Sequence, residues 1–282
     1  MPVIRFTGVF LISSIHHISL PLAKSNFEMP KIIEDRLIEE FKDKDIFSRK
    51  ELFDFFRYFE PDLKEGTFGW RIYHLKNKNI IKSIQRGYYT ISHKLAYKPE
   101  ISKELLKFGK VISDKFEDVK YCLWDTDWMN EFSQHQSSKK LIVIEIEKNF
   151  IESLYYELKD SFRFDFYLNP DEKTIDYYIS ESQNPVIIKK LITKSPISKR
   201  TEKRVKFYTP LLEKILVDLF IENKLFYFYQ GAELIHVYEN ALKNYTLNYT
   251  KLFSYAKRRE QEQDIKQFMT NNVHYLVKDL IE

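Results

Sequence analysis

Read for its hydrophobic and polar positions, the chain passes from an unpatterned opening into clear helical periodicity. Ile32, Ile33, Leu37, Ile38 and Phe41 recur at helical spacing, which predicts a first helix over 31–42. Ser48 followed three residues later by Glu51 is a capping box, in which hydroxyl and carboxylate satisfy free amide groups at a helix start. Leu52, Phe55, Phe56 and Phe59 continue that second helix, and Pro61 stops it. In a third helix Phe68, Ile72 and Leu75 lie at i, i+4 and i+7 as one buried stripe, ended by 77–79. Two β-prone runs, 80–84 and 88–91, flank Gln85-Arg86-Gly87 and predict a short hairpin. Three helices and a hairpin outline a winged helix-turn-helix over residues 29–95.

Residues 96–206 read as a mixed α/β domain. Pro99 opens a helix whose apolar face includes Ile101, Leu105, Phe108, Ile112 and Phe116. YCLW (121–124) and KLIVIEIE (140–147) are strands, separated by a short helix that Asp125 caps. Residues 149–160 predict a helix with Asn149 as its cap. FRFDFYL (162–168) and TIDYYIS (174–180) predict two strands joined through the turn residues 169–173. Pro185 begins another β-prone piece, and residues 193–206 form an exposed basic loop. From 207 to 282 the pattern is helical, first with Thr209 as cap and Pro210 at the first helical position. The fold class is therefore α+β: a winged helix-turn-helix, a mixed α/β domain and a helical C-terminal region.

Residues 1–28 look foreign to this plan. Their short apolar run is cut by His16 and His17, a poor secretory signal. Met29 opens an amphipathic helix, so the expectation is a native start at Met29 behind a loose extension or mis-assigned start. No run reaches the roughly 18 apolar residues needed to span a bilayer. Only six glycines occur, which argues against a Gly-rich nucleotide loop, and the single cysteine, Cys122, excludes an internal disulfide. The single cysteine suits a reducing compartment, and the expectation is a cytoplasmic protein.

Charge changes the picture in the N-terminal unit. Residues 29–63 hold seven basic and ten acidic side chains, whereas 64–94 hold seven basic ones against Glu65 alone. The balance thus swings from −3 to +6 at the third helix and hairpin, a surface that DNA phosphates attract. The predicted DNA-binding set is Lys64, Thr67, Trp70, Arg71, His74, Lys78, Lys82 and Arg86, with Arg71 reaching guanine edges or phosphate. The plainer alternative is a winged helix used for protein contact, with a solvated basic face. Lys199, Arg200, Lys203 and Arg204 make a second candidate basic surface.

Catalytic chemistry finds little support. The histidines lack metal-ligand spacing, Cys122 suits a packed thiol, and no serine sits in a nucleophile elbow. Asp125 and Asp127 precede the strand carrying Glu145 and Glu147, a carboxylate set that would suit a divalent ion in a nuclease. Lys148, directly after Glu147, points to the wrong face for that chemistry. No catalytic residue, metal or cofactor is therefore expected, and the chain is not read as an enzyme.

The segments FSRKELFDFF, GTFGWRIYHLKNKNIIKSIQRGYYTI and YTPLLEKILVDLF, in this order around a mixed α/β middle, carry a family resemblance. They resemble the AbiEi-like antitoxins of bacterial abortive-infection systems over about 46–92 and 207–221. Gly87-Tyr88-Tyr89 matches that family's hairpin ending. Pro210, Glu213 and Leu216-Val217-Asp218-Leu219 match its later helix. The resemblance implies a DNA-binding autoregulator of a toxin-antitoxin or phage-defence operon. Operator DNA would be its partner, with a nucleotidyltransferase toxin encoded next door as the functional partner and no stable complex required. It carries DNA contact to Thr67, Arg71, His74 and Arg86 by their place in the motif. A homodimer on a two-fold operator fits this reading, although no dimer seam is legible.

Overall fold

The computed structural model describes residues 30–44, 46–91, 96–137 and 139–281, with side chains followed to Val273 in the last helix. The extension 1–28 and the expected start at Met29 lie outside the described residues. The chain is mixed α/β with small sheets, and its buried apolar side chains fall into two clusters.

The smaller cluster belongs to the N-terminal unit. Helix α1 (Lys31–Phe41) leads to a short strand β1 (Phe47–Ser48), then to α2 (Arg49–Phe59), α3 (Glu65–Asn77), β2 (Lys82–Gln85) and β3 (Tyr88–Thr90). The three strands form an antiparallel sheet in the order β1-β3-β2. The periodicity of all three helices holds: Leu37 and Phe41, Leu52 and Phe56, and Phe68 and Leu75 meet in the core. The capping box forms as expected, Glu51 N–H donating to Ser48 Oγ at 3.1 Å and Ser48 N–H to Glu51 Oε2 at 2.8 Å. Gly87, at φ +83°, takes the left-handed conformation that lets β2 turn into β3. Strand β1 is too short for any sequence pattern to announce.

The larger cluster surrounds a four-stranded sheet. Helix α4 (Lys103–Lys115) precedes β4 (Tyr121–Asp125), a short 3-10 turn (Thr126–Glu131) and β5 (Ile142–Ile146). Helix α5 (Ile151–Ser161) and strand β6 (Asp165–Leu168) follow. The short α6 (Glu172–Thr174) runs into a π-helical turn (Ile175–Ile179) before β7 (Pro185–Lys190). The sheet order is β4-β5-β7-β6, with β4 antiparallel to β5 and the other three parallel. Apart from Glu145 and Lys189, its central strands are mostly apolar on both faces, as burial on both sides demands. A hairpin of β8 (Ile197–Glu202) and β9 (Val205–Pro210) lies against β4 and α4. Helices α7 (Leu212–Ile221), α8 (Ala232–Asn244), α9 (Tyr249–Arg258) and α10 (Glu262–Ile281) complete the chain.

Several local expectations are corrected here. Residues 174–180 are not a strand: Ile175 and Ile179 are buried four apart, Tyr177 and Tyr178 are exposed, and Asp171 accepts from Thr174 N–H at 2.8 Å to start the turn. A hairpin with β6 is excluded because β6 pairs in parallel with β7. The basic stretch is a hairpin rather than a loop, turning on Lys203 and Arg204 at φ +47° and +69°. Thr209 and Pro210 end β9 instead of opening a helix, and Leu211 takes the cap position of α7. Helix α4 starts after Ser102, whose hydroxyl accepts from Leu105 N–H, not at Pro99. Asn149 lies within a 3-10 turn before α5, whose cap position is Phe150, and Asp125 makes no side-chain cap bond.

The two units touch through the hairpin of β2 and β3. Ile84 packs into the larger core, Arg86 N–H donates to Thr250 Oγ1 at 3.2 Å, and Asn248 Nδ2 donates to Ser83 O at 3.4 Å. Asn248 N–H in turn donates to Glu213 Oε1 at 2.7 Å. The hairpin is thereby pinned to the start of α9 and, through it, to α7.

Candidate nucleic-acid interface and a buried charge network

The predicted reading helix is α3, and its orientation decides which side chains face outward. With Phe68, Ile72 and Leu75 buried, the opposite stripe presents Gly66, Gly69, Trp70, Tyr73 and Asn77. Trp70 is 56% and Tyr73 53% exposed, and their rings meet edge to face at 5.7 Å. Nothing lies within 4 Å of a side chain added at Gly66 or Gly69. Lys64 is exposed at the start of this stripe. Thr67 and His74 are half-buried, the ring of His74 lying 6.2 Å from that of Trp70.

Arg71 does not face outward as expected. Its guanidinium lies 5.2 Å above the Phe56 ring and is ion-paired with Glu60, which follows α2. A charge-assisted pair backed by an aromatic face holds the group against the protein, so Arg71 is corrected from base reader to a tie between α2 and α3. Lys78 is likewise held, 2.6 Å from Glu34 of α1, and Lys82 is half-buried in β2. Arg86 is exposed at the hairpin tip, although its backbone is docked on Thr250. The surface that the sequence placed on one face is therefore divided. Lys64, Trp70 and Arg86 face solvent, while Arg71 is turned inward. The sequence reading missed Tyr73, although its place one turn after Trp70 on the outward stripe was a usable signal.

The second basic surface also divides. Lys199, Lys203 and Arg204 are exposed on the β8–β9 hairpin, but Arg200 Nη1 donates to Pro99 O at 2.8 Å. Alternation along a strand sends neighbouring residues to opposite faces, which separates Lys199 from Arg200.

The carboxylate set is scattered. Lys140 bridges Asp125 at 3.1 Å and Asp127 at 2.9 Å, Glu147 accepts from Lys120 N–H at 3.1 Å, and Glu145 points to the other face of the sheet. Among the described residues no group of three or more His, Cys, Asp or Glu side chains is placed to hold a metal ion. Cys122 is buried, and burial pushes its thiol up, so it packs as an apolar side chain.

Glu145 belongs instead to a charge network that the periodicity gave no reason to expect. Lys214 and Asp218 occupy i and i+4 of the apolar helix α7 and are ion-paired, both essentially without solvent. Lys214 Nζ is also 2.5 Å from Glu145 Oε2, and Lys189 Nζ is 3.3 Å from Glu145 Oε1 and 2.5 Å from Glu222 Oε2. Arg259 spans Asp218 at 2.9 Å and Glu222 at 3.0 Å, while Tyr255 O–H donates to Asp218 Oδ1 at 2.8 Å. Three cations thus face three carboxylates. The Glu145 oxygens meet their ammonium groups at ion-pair distance but outside hydrogen-bond geometry.

Burial disfavours charge on Lys214 and Asp218, but their partners outweigh it. Asp218 and Glu145 hold the Lys214 ammonium well above its ordinary value. Lys214, Lys189 and Arg259 hold Asp218 below the ordinary aspartate value. Neither group exchanges protons near neutrality, so the network is a fixed electrostatic clamp of sheet, α7 and α9. A cavity of about 450 Å³ opens against it, beside Glu145, Lys189, Glu222 and Arg259.

The depressed value at Asp218 has a defined pH consequence. Its stabilising charge is fully present above the unfolded aspartate value near 3.9 and is lost as pH falls through the lower folded value. The difference in unfolding free energy between the native chain and Asp218→Asn is expected to be constant near neutrality and to shrink below about pH 4. Urea titrations across pH 2.5–7 check this, and a difference that grows on acidification would refute it.

No helix among the described residues is long and apolar enough to cross a membrane. A search of curated proteins finds no match. Residues 67–275, more than half of the chain and running from within α3 into α10, match the Family of unknown function (DUF6577), and the chain belongs to that family.

Proposed function

We propose that the chain is a DNA-binding, antitoxin-like transcriptional autoregulator whose N-terminal unit is a winged helix-turn-helix. The observation that carries this reading is the connectivity: helix, strand, two helices and a hairpin, closed by a β1-β3-β2 sheet. In such a unit α3 lies in the major groove and the hairpin lies along the backbone. The charge of residues 64–94 supports it, as does the bare strip at Gly66 and Gly69, where a phosphate backbone can approach closely. An interior glycine such as Gly69 costs a helix about 1 kcal/mol relative to alanine, a sacrifice that close approach explains. Base contacts then fall to Trp70, Tyr73 and Asn77, and phosphate contacts to Lys64 and Arg86. The antitoxin part rests on the resemblance in the hairpin and in α7, where Asp218 anchors the network. A nucleotidyltransferase gene beside this one would supply the toxin to be countered.

The test is fluorescence anisotropy with a duplex from upstream of the gene and a scrambled duplex, at about 50 and about 200 mM salt. Affinity is expected to fall steeply with salt. Arg86→Ala should weaken both duplexes alike, and Tyr73→Ala should cost about 1–3 kcal/mol on the upstream duplex alone. The exposed Trp70–Tyr73 pair also suits a protein partner, and an absence of DNA binding at the lower salt would move the reading there.

A further inference from the structure

We infer that the cleft beside the hairpin tip, between α9 and the segment entering β8, binds a backbone phosphate of the DNA that the hairpin engages. This rests on the DNA-binding reading above. The cleft encloses about 460 Å³, and its lining includes Lys194, Leu211, Thr250, Lys251, Ser254 and Arg258. Three of its lining residues are cations, and none is a carboxylate.

Arg49, Arg71, Lys78, Lys140 and the three network cations all have carboxylate partners. Among the described residues, Lys194, Lys251 and Arg258 make no ion pair. Cations gathered in one cleft repel one another, and an incoming anion relieves that repulsion.

The hydroxyls point to the same ligand. Thr250, Ser254 and Arg258 follow one another at four-residue spacing along α9, opposite the buried Leu252, Tyr255 and Ala256. Thr250 Oγ1 accepts the Arg86 N–H at 3.2 Å, which leaves its own proton to donate. Ser195, by contrast, donates its hydroxyl to Ile192 O at 2.7 Å and offers no donor to the cleft. The first turn of α9 adds the positive end of a helix dipole. Because Thr250 both lines the cleft and holds the hairpin tip, a strand seated along Arg86 passes directly over it. The phosphates are spaced closely enough, one charge per about 1.7 Å of duplex axis, for one to enter.

The experiment compares the full-length chain with Lys251→Ala/Arg258→Ala, and with Lys107→Ala/Lys110→Ala on the exposed side of α4 as a charge-matched control. Each is titrated with the upstream and scrambled duplexes over a salt series, with thermal unfolding as a check on folding. The cleft variant, which loses one phosphate contact, is expected to have a salt slope shallower by about 0.9, the same on both duplexes. The control should keep the native slope. An unchanged slope in the cleft variant, or an equal loss in the control, overturns the cleft while leaving the hairpin reading intact. Absence of DNA binding by the native chain at low salt overturns both.

Discussion

Replacing Lys214 with methionine is expected to cost about 3–5 kcal/mol of folding stability. The side chain is entirely buried, and among the described residues its ammonium alone is ion-paired with both Glu145 and Asp218. Its removal leaves two cations against three carboxylates, of which Glu145 and Asp218 are almost wholly buried. The cost is the stranded carboxylate, not the lost attraction, so a second substitution should recover much of it. Glu145→Met/Lys214→Met leaves Lys189 and Arg259 facing Asp218 and Glu222, a balanced set. The double variant is therefore expected to be more stable than Lys214→Met alone, by an amount that a double-mutant cycle reads directly. Urea unfolding at neutral pH measures all the variants. A single-substitution loss below about 1 kcal/mol would mean that the network does not carry buried charge.

Phe108→Ala is expected to cost a similar amount, about 3–5 kcal/mol, for a different reason. Phe108 is fully buried, and its ring lies 4.8 Å from that of Phe162, 5.3 Å from Phe164 and 6.2 Å from Phe166. These three aromatics come from the C-cap of α5, the link that follows it and β6, so Phe108 holds α4 to the far edge of the sheet. The cavity cannot close by moving α4 inward. A β-carbon at neighbouring Gly109 would already stand 3.2 Å from Phe207 Cβ, an atom fixed to the backbone of β9. The substitution thus loses the transfer free energy of the ring and keeps most of the void. Tyr156→Ala on the solvent side of α5, where the ring is 63% exposed, should stay within about 0.5 kcal/mol of the native chain. If the two variants unfold at the same denaturant concentration, the packing described for α4 is wrong.

Much of the fold was legible because the signals were local. The stripe Phe68, Ile72 and Leu75, the Ser48–Glu51 box and the turn at Gly87 each depend on residues a few positions apart. What stayed hidden depends on partners distant in sequence or on exposed backbone. Ile175 and Ile179 are compatible with a strand until β6 is known to pair in parallel with β7. The β8–β9 hairpin has polar side chains on both faces and turns on Lys203 and Arg204, residues that do not announce a left-handed turn. Arg71 looked like a reading residue because its partner, Glu60, lies past the end of another helix. Lys214 and Asp218 carry no local sign of burial; only the placement of Glu145, Glu222 and Arg259 makes the interior hold them.

The pinning of the hairpin to α9 has a mechanical consequence. Ser83 and Arg86 are fastened to Asn248 and Thr250, and the same helix ends at Tyr255 and Arg259 within the ionic clamp. A macromolecule that tilts the hairpin must therefore turn α9 about an axle whose other end is locked to the sheet. The N-terminal unit is geared to the large core, and any torque applied at the tip is delivered where three carboxylates and three cations resist it.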